Sequence, residues 1–187
     1  MMTSRLFAPL ALLALLGACG SCPTAAPGSP SRPTVAIPGI LKVPAGETLQ
    51  RTLKAEGVQV YECKAKADDA AARPAWTLVA PEATLTDDQG APVGKHYAGP
   101  TWEANDGSRI VGLVVGRIDA PTADAIPWLL LATRSTGSAG LFANVTSVQR
   151  VATVGGVAPT DGCTPSNIGA TTRVAYKAQY AMYAKGG

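Results

Sequence analysis

A chain of 187 residues with a net charge of +3 is long enough for one domain and a tail, with room for a real core. Its basic residues are scattered rather than gathered into a stripe, which leaves no footprint for nucleic acid and no polybasic membrane patch. The only histidine, His96, leaves no HExxH zinc site and no two-histidine metal site, so no metal is expected.

The N-terminus carries an address. Arg5 precedes an apolar run from Leu6 to Leu16, and Gly17-Ala18-Cys19 follow. One basic residue, a short greasy core and small residues at the cut make a bacterial secretory signal, and the run is too short to span a bilayer. Leu16-Gly17-Ala18-Cys19 also resembles the bacterial lipobox, in which the Cys is acylated and becomes the new N-terminus. Residues 1–18 therefore read as a lipoprotein signal peptide. The mature chain is expected outside the cytoplasm in a bacterial cell envelope, with the membrane as its partner through the lipid on Cys19. Gly20 points onward to an outer membrane. Residues 19–39 read as the acylated Cys and a Pro-rich disordered linker, with five prolines from Pro23 to Pro38 and almost nothing to bury.

Residues 40–187 read as one β domain with a period of two. Leu49 to Ala55 fits a short helix or a strand. In Gly57 to Lys64, Val58, Val60 and Glu62 share one face while Gln59, Tyr61 and Cys63 share the other. Trp76 to Ala80 is a short strand. Thr101 to Ala104 and Ser108 to Val115 flank Asn105-Asp106-Gly107, the best hairpin signal in the chain, because Asp-Gly suits the positive φ of a tight turn. Pro121 to Ala125 allows one helical turn, stopped by Pro127. Trp128 to Thr133 reads as a strand buried on both faces, and Phe142 to Val154 as one or two more. At the end, Val174, Tyr176, Ala178, Tyr180 and Met182 share a buried face. With 20 Gly and 15 Pro as regular punctuation, the fold class is all-β. The expected architecture is a single-domain sandwich or barrel of about eight to ten short antiparallel strands, with few helical turns.

The cysteines fall into two groups. Cys19-Gly20-Ser21-Cys22 has CxxC spacing but lacks the strand-to-helix context of a redox motif. Cys63 and Cys163 lie deep in the domain, and an oxidising compartment makes a disulfide between them the default.

Sites for nucleotides and nucleophiles are poorly supported. Gly90-Ala91-Pro92-Val93-Gly94-Lys95 has three residues between its glycines where a phosphate loop has four, and reads as a turn between strands. No G-x-G-x-x-G occurs, so no nucleotide cofactor is expected, and no other cofactor is implied. Thr136-Gly137-Ser138-Ala139-Gly140 misses the G-x-S-x-G nucleophile turn at its first position.

The stretch from Gly94 to Ser108 is the richest chemically. It gathers an imidazole, a phenol, an indole and two carboxylates, a set that suits a small organic ligand or a sugar. His96, Tyr97, Trp102 and Glu103 are the candidate ligand-binding residues. The plainer alternative packs Tyr97 and Trp102 in the core, hydrogen-bonds His96 to a loop carbonyl and lets Asp106 cap the turn.

Several segments together resemble a secreted family catalogued as domain of unknown function 3455. They are Gly57 to Cys63, His96 to Glu103, Ala125 to Leu131, Val148 to Val151 with Gly155-Gly156, Gly162-Cys163 and the Tyr-rich end. The resemblance covers roughly residues 41 to 183. It implies a single extracytoplasmic domain in which Cys63 and Cys163 are paired, and it supplies no catalytic residue, substrate or cofactor.

The sequence points first to a lipid-anchored, non-catalytic binding module for a small molecule, glycan or envelope partner. One alternative is a hydrolytic or other simple enzyme with His96 as general base and Glu103 or Asp106 beside it in a cleft. Another is a structural envelope protein whose strand edges pair with copies of itself.

Overall fold

The computed structural model describes residues 36–66 and 73–186. The signal peptide, Cys19, Cys22 and all but the end of the linker lie outside the described residues.

Eight strands form among the described residues: β1 (Glu47–Lys64), β2 (Ala75–Thr86), β3 (Pro92–Tyr97), β4 (Thr101–Ala104), β5 (Arg109–Ile118), β6 (Trp128–Ser135), β7 (Ser147–Gly155) and β8 (Thr171–Lys185). Each pairs antiparallel with its neighbour in sequence, and β8 pairs back onto β1 to close a barrel. The all-β expectation holds, and the barrel is the form it takes. Closure pairs the first strand with the last, which an open sheet of the same strands could not do, and leaves unpaired only the stretches of β2 and β5 that β3 and β4 are too short to reach. The strands are less uniform than the sequence suggested: β1 runs for 18 residues and β8 for 15, whereas β4 has only 4.

Local chemistry accounts for the elements. Leu49 to Ala55 is strand, because alternate residues there serve the barrel interior, where Leu53 and Ala55 are buried. The turn before β3 is Asp87 to Ala91, closed by Asp87 Oδ1 accepting from the Gln89 and Ala91 amides. Pro92 already opens β3, so the turn is shorter than the Gly90-to-Lys95 reading placed it. The β4–β5 hairpin forms as expected, with Gly107 at φ 84° and its amide donating to the Ala104 carbonyl. Pro121 to Ala125 makes a hydrogen-bonded turn from the Ala125 amide to the Thr122 carbonyl and no helix. Helical structure among the described residues is confined to two 3-10 turns, Gly39–Leu41 and Pro165–Asn167.

Trp128 to Leu131 is buried on both faces for a concrete reason. Leu129 and Leu131 point into the barrel. Trp128 and Leu130 point outward and are covered by the segment before β1, where Ile37, Leu41 and Val43 join them in a second apolar cluster with Val151. Gln149 fastens this strap, donating from Nε2 to the Leu41 carbonyl at 2.6 Å and accepting from the Tyr183 hydroxyl at 2.8 Å.

The up-and-down order sends the β2–β3, β4–β5 and β6–β7 connections to one end of the barrel. That end is plugged. Phe142 and Val145 of the β6–β7 connection enter the core beside Leu53, Leu85 and Met182. Asp106 and Ser108 pin the plug, with Asp106 Oδ2 accepting from the Leu141 amide and Ser108 Oγ from the Phe142 amide. At the opposite end Cys63 and Cys163 form a disulfide that ties the end of β1 to the loop before β8.

Candidate functional site

The unplugged half of the barrel contains a cavity of about 330 Å³. Its opening follows from strand lengths. β2 pairs with β3 only from Ala83 to Thr86, and β5 pairs with β4 only from Arg109 to Val111. Beyond the Ala98-Gly99-Pro100 turn, the early part of β2 and the late part of β5 have no strand between them. This window is lined by Leu78, Val79 and Pro81 of β2, by Gly99 and Pro100, and by Val114 and Arg117 of β5. Leu78 and Val79 are about half exposed at 51% and 50%, an apolar rim.

The four residues singled out from sequence divide between the two faces of the wall. His96 and Trp102 sit opposite one another in the β3–β4 register and point inward. Their rings stack with centroids 4.6 Å apart, and Tyr180 of β8 meets both edge-on, at 5.0 and 5.4 Å. Gly112 of β5 makes room for the indole: a Cβ there would stand 2.9 Å from the Trp102 ring. Tyr97 and Glu103 point outward. The Tyr97 hydroxyl donates to Glu103 Oε2 at 2.5 Å, and Lys95 and Arg109 flank the same carboxylate at 3.2 and 3.7 Å. Lys95, Glu103 and Arg109 are cross-strand neighbours, so this cluster is a polar ladder across β3, β4 and β5. The Tyr97 hydroxyl first, then Lys95 and Arg109, hold the Glu103 carboxyl below its ordinary range.

His96 is 2% exposed. Its Nδ1 lies 2.8 Å from the Thr101 carbonyl, which can only accept, so Nδ1 carries the proton and Nε2 is left as an acceptor. Burial drives the His96 pKa down to about 3; the Thr101 bond opposes this and the Arg150 charge adds to it. The imidazole is therefore neutral at neutral pH. Neither Glu103 nor Asp106 reaches it, since Asp106 is bonded to Ser108 and Leu141.

Four further groups complete the cavity: Gln59 of β1, Arg150 of β7, Tyr180 of β8 and Arg117 at the window. Gln59 Nε2, Trp102 Nε1 and the Tyr180 hydroxyl are buried without a hydrogen-bond partner. Tyr180 and Tyr176 feel one another and the Arg150 charge, but neither hydroxyl makes a well-formed hydrogen bond, and burial raises both pKa values. Arg150 is held by donating from Nε and Nη2 to the Pro127 carbonyl at 3.1 and 2.9 Å. Among the described residues, no Asp or Glu lines the cavity. These residues had a signal in the sequence: Gln59 shares a face with Cys63, Arg150 shares a face with Val148, and Tyr180 lies on the buried face of β8. A polar residue in phase with core positions marks an interior polar site.

Residues 44–184 match a family described as Protein of unknown function (DUF3455). The chain belongs to this family. The DUF3455 match runs from just before β1 to the end of β8, so the whole closed barrel, cavity included, is the family's domain. Compared with the curated proteins and with the solved structures, the chain finds no match. Among the described residues, no three His, Cys, Asp or Glu side chains cluster to hold a metal ion.

Proposed function

We propose that this DUF3455 protein is a non-catalytic binding module of a bacterial cell envelope, anchored through the lipid on Cys19, that takes one small organic molecule into the unplugged half of its barrel. The observation that carries this reading is the set of unpartnered buried atoms around one cavity: Gln59 Nε2, Trp102 Nε1 and the Tyr180 hydroxyl. Leaving a buried polar group unpaired costs about 1–3 kcal/mol, so three around one space favour a partner that enters it. An eight-stranded barrel has an interior wide enough for one small ligand, and the volume suits a small molecule better than a glycan chain.

Binding is favoured over catalysis by the state of His96. An imidazole whose conjugate acid has a pKa of about 3 is a poor proton acceptor at neutral pH, and its ring is oriented by a backbone carbonyl rather than a carboxylate.

Two measurements test the proposal. Envelope metabolites screened by thermal shift are expected to include one that raises Tm in the wild type but not in Leu129→Trp, which fills the cavity. An equal rise in both proteins would place binding elsewhere. Radiolabelled palmitate is expected to enter the wild-type protein in its bacterial host and not Cys19→Ser; equal labelling of both would end the anchor proposal.

A further inference from the structure

Resting on the reading of the barrel as a ligand carrier, we infer that the ligand is a monocarboxylate with an apolar body, its carboxylate against Arg150 and its body directed toward the window.

The cavity's unmet hydrogen-bonding capacity is mostly donating, with His96 Nε2 as its one acceptor named above. Gln59 Nε2 and Trp102 Nε1 are donors only, and the Tyr180 hydroxyl is free to donate. Arg150 spends Nε and one Nη2 hydrogen on Pro127, which leaves further N–H groups of its five. An ionised carboxylate accepts at about four lone-pair positions and donates nothing, so it matches such a set, whereas an alcohol meets it partly and an ammonium not at all.

Charge points the same way. Arg150 has no carboxylate partner among the described residues, and the only other charged residue lining the cavity is Arg117, an exposed arginine at the window. Arg150 is half-buried, and a cation drawn partly out of water is stabilised by pairing and by good hydrogen bonds. One interior guanidinium balances one negative charge, which selects a monoanion over a doubly charged phosphate monoester.

The remaining lining is apolar. Leu129 and Leu131 flank the interior and Leu78, Val79 and Val114 form the window, so the path outward from Arg150 is greasy. A molecule with an acidic head and a hydrocarbon or aromatic body meets each part of the cavity with matching chemistry.

Isothermal titration of the purified protein at neutral pH with three probes of one shape tests this: 3-phenylpropanoate, 3-phenylpropan-1-ol and 3-phenylpropylamine. The carboxylate is expected to bind on the order of ten- to a hundredfold more tightly than the alcohol, as a hydrogen bond to a charged group allows, and the amine to show no binding. Arg150→Gln is expected to bring the carboxylate down to the alcohol's affinity. The wild-type comparison needs no variant, so the inference stays testable if Arg150→Gln fails to fold. Equal binding of acid and alcohol by the wild type would overturn the carboxylate inference and leave the carrier reading standing. If none of the three binds, both fall.

Discussion

Replacing Cys63 and Cys163 together by serine is expected to lower folding stability by about 4–5 kcal/mol. The bridge joins residues 100 positions apart, and cross-linking so long a loop removes much of the freedom of the unfolded chain. Its place in the fold adds to its value. The barrel closes only when β1 meets β8, the two strands farthest apart in sequence, in a register that runs from Glu47 opposite Lys185 to Glu62 opposite Thr171. Contacts between the two ends of a chain are the slowest and entropically costliest to make. The disulfide holds the end of β1 beside the loop that leads into β8, so the oxidised chain begins folding with that closure partly made. In a domain of this size the loss corresponds to a fall of roughly 10–20 °C in Tm. Urea unfolding of the double variant against the wild type reads it directly, and an unchanged midpoint would contradict the role assigned to the bridge.

Acid sensitivity is expected to begin well above the range of the carboxylates, and His96 is its source. The folded protein holds His96 neutral down to about pH 3, while the unfolded chain protonates it near 6.5. Between those values the unfolded state binds a proton that the folded state refuses, so the His96 contribution is fully present above pH 6.5 and is lost as pH falls toward 3. At 1.36 kcal/mol per pH unit the loss is about 2 kcal/mol by pH 5, and on the order of 4–5 kcal/mol by pH 3. Glu82, Glu103 and Asp106, whose folded pKa values are depressed, add losses of the same sign only below their ordinary range near pH 4. The interval from pH 7 to 5 therefore isolates the imidazole. His96→Phe keeps a ring against Trp102 but cannot titrate. It is expected to be less stable than the wild type at pH 7, because the Thr101 carbonyl loses its donor, and to show a nearly flat profile from pH 7 to 5. A wild-type slope that survives in His96→Phe would assign the acid loss to other groups.

The period-two alternation made the strands legible, and Asp106-Gly107 made the β4–β5 hairpin legible. The choice between barrel and sandwich was not, because it depends on Leu53 and Tyr180 meeting across β1 and β8, and nothing local encodes that pairing. The candidate site was half legible. His96 and Trp102 line the cavity, but Tyr97 and Glu103, their neighbours in sequence, stand on the outer face, since a strand sorts alternate residues to opposite sides of the wall. Gln59, Arg150 and Tyr180 come from three other strands. No linear motif joins them to His96; only the closed sheet does. The window was foreshadowed by Gly99-Pro100, which ends β3 early and leaves β2 and β5 without a strand between them.

A ligand that enters through that window is proposed to rest in the unplugged half of the barrel. Methyl-labelled NMR during a titration with 3-phenylpropanoate tests it most directly. Leu78, Val79, Val114, Leu129 and Leu131 are expected to shift together and saturably, while Val145 in the plug does not. Shifts confined to the plug or to the outer strap around Leu41, or no saturable shift at the window, would contradict it.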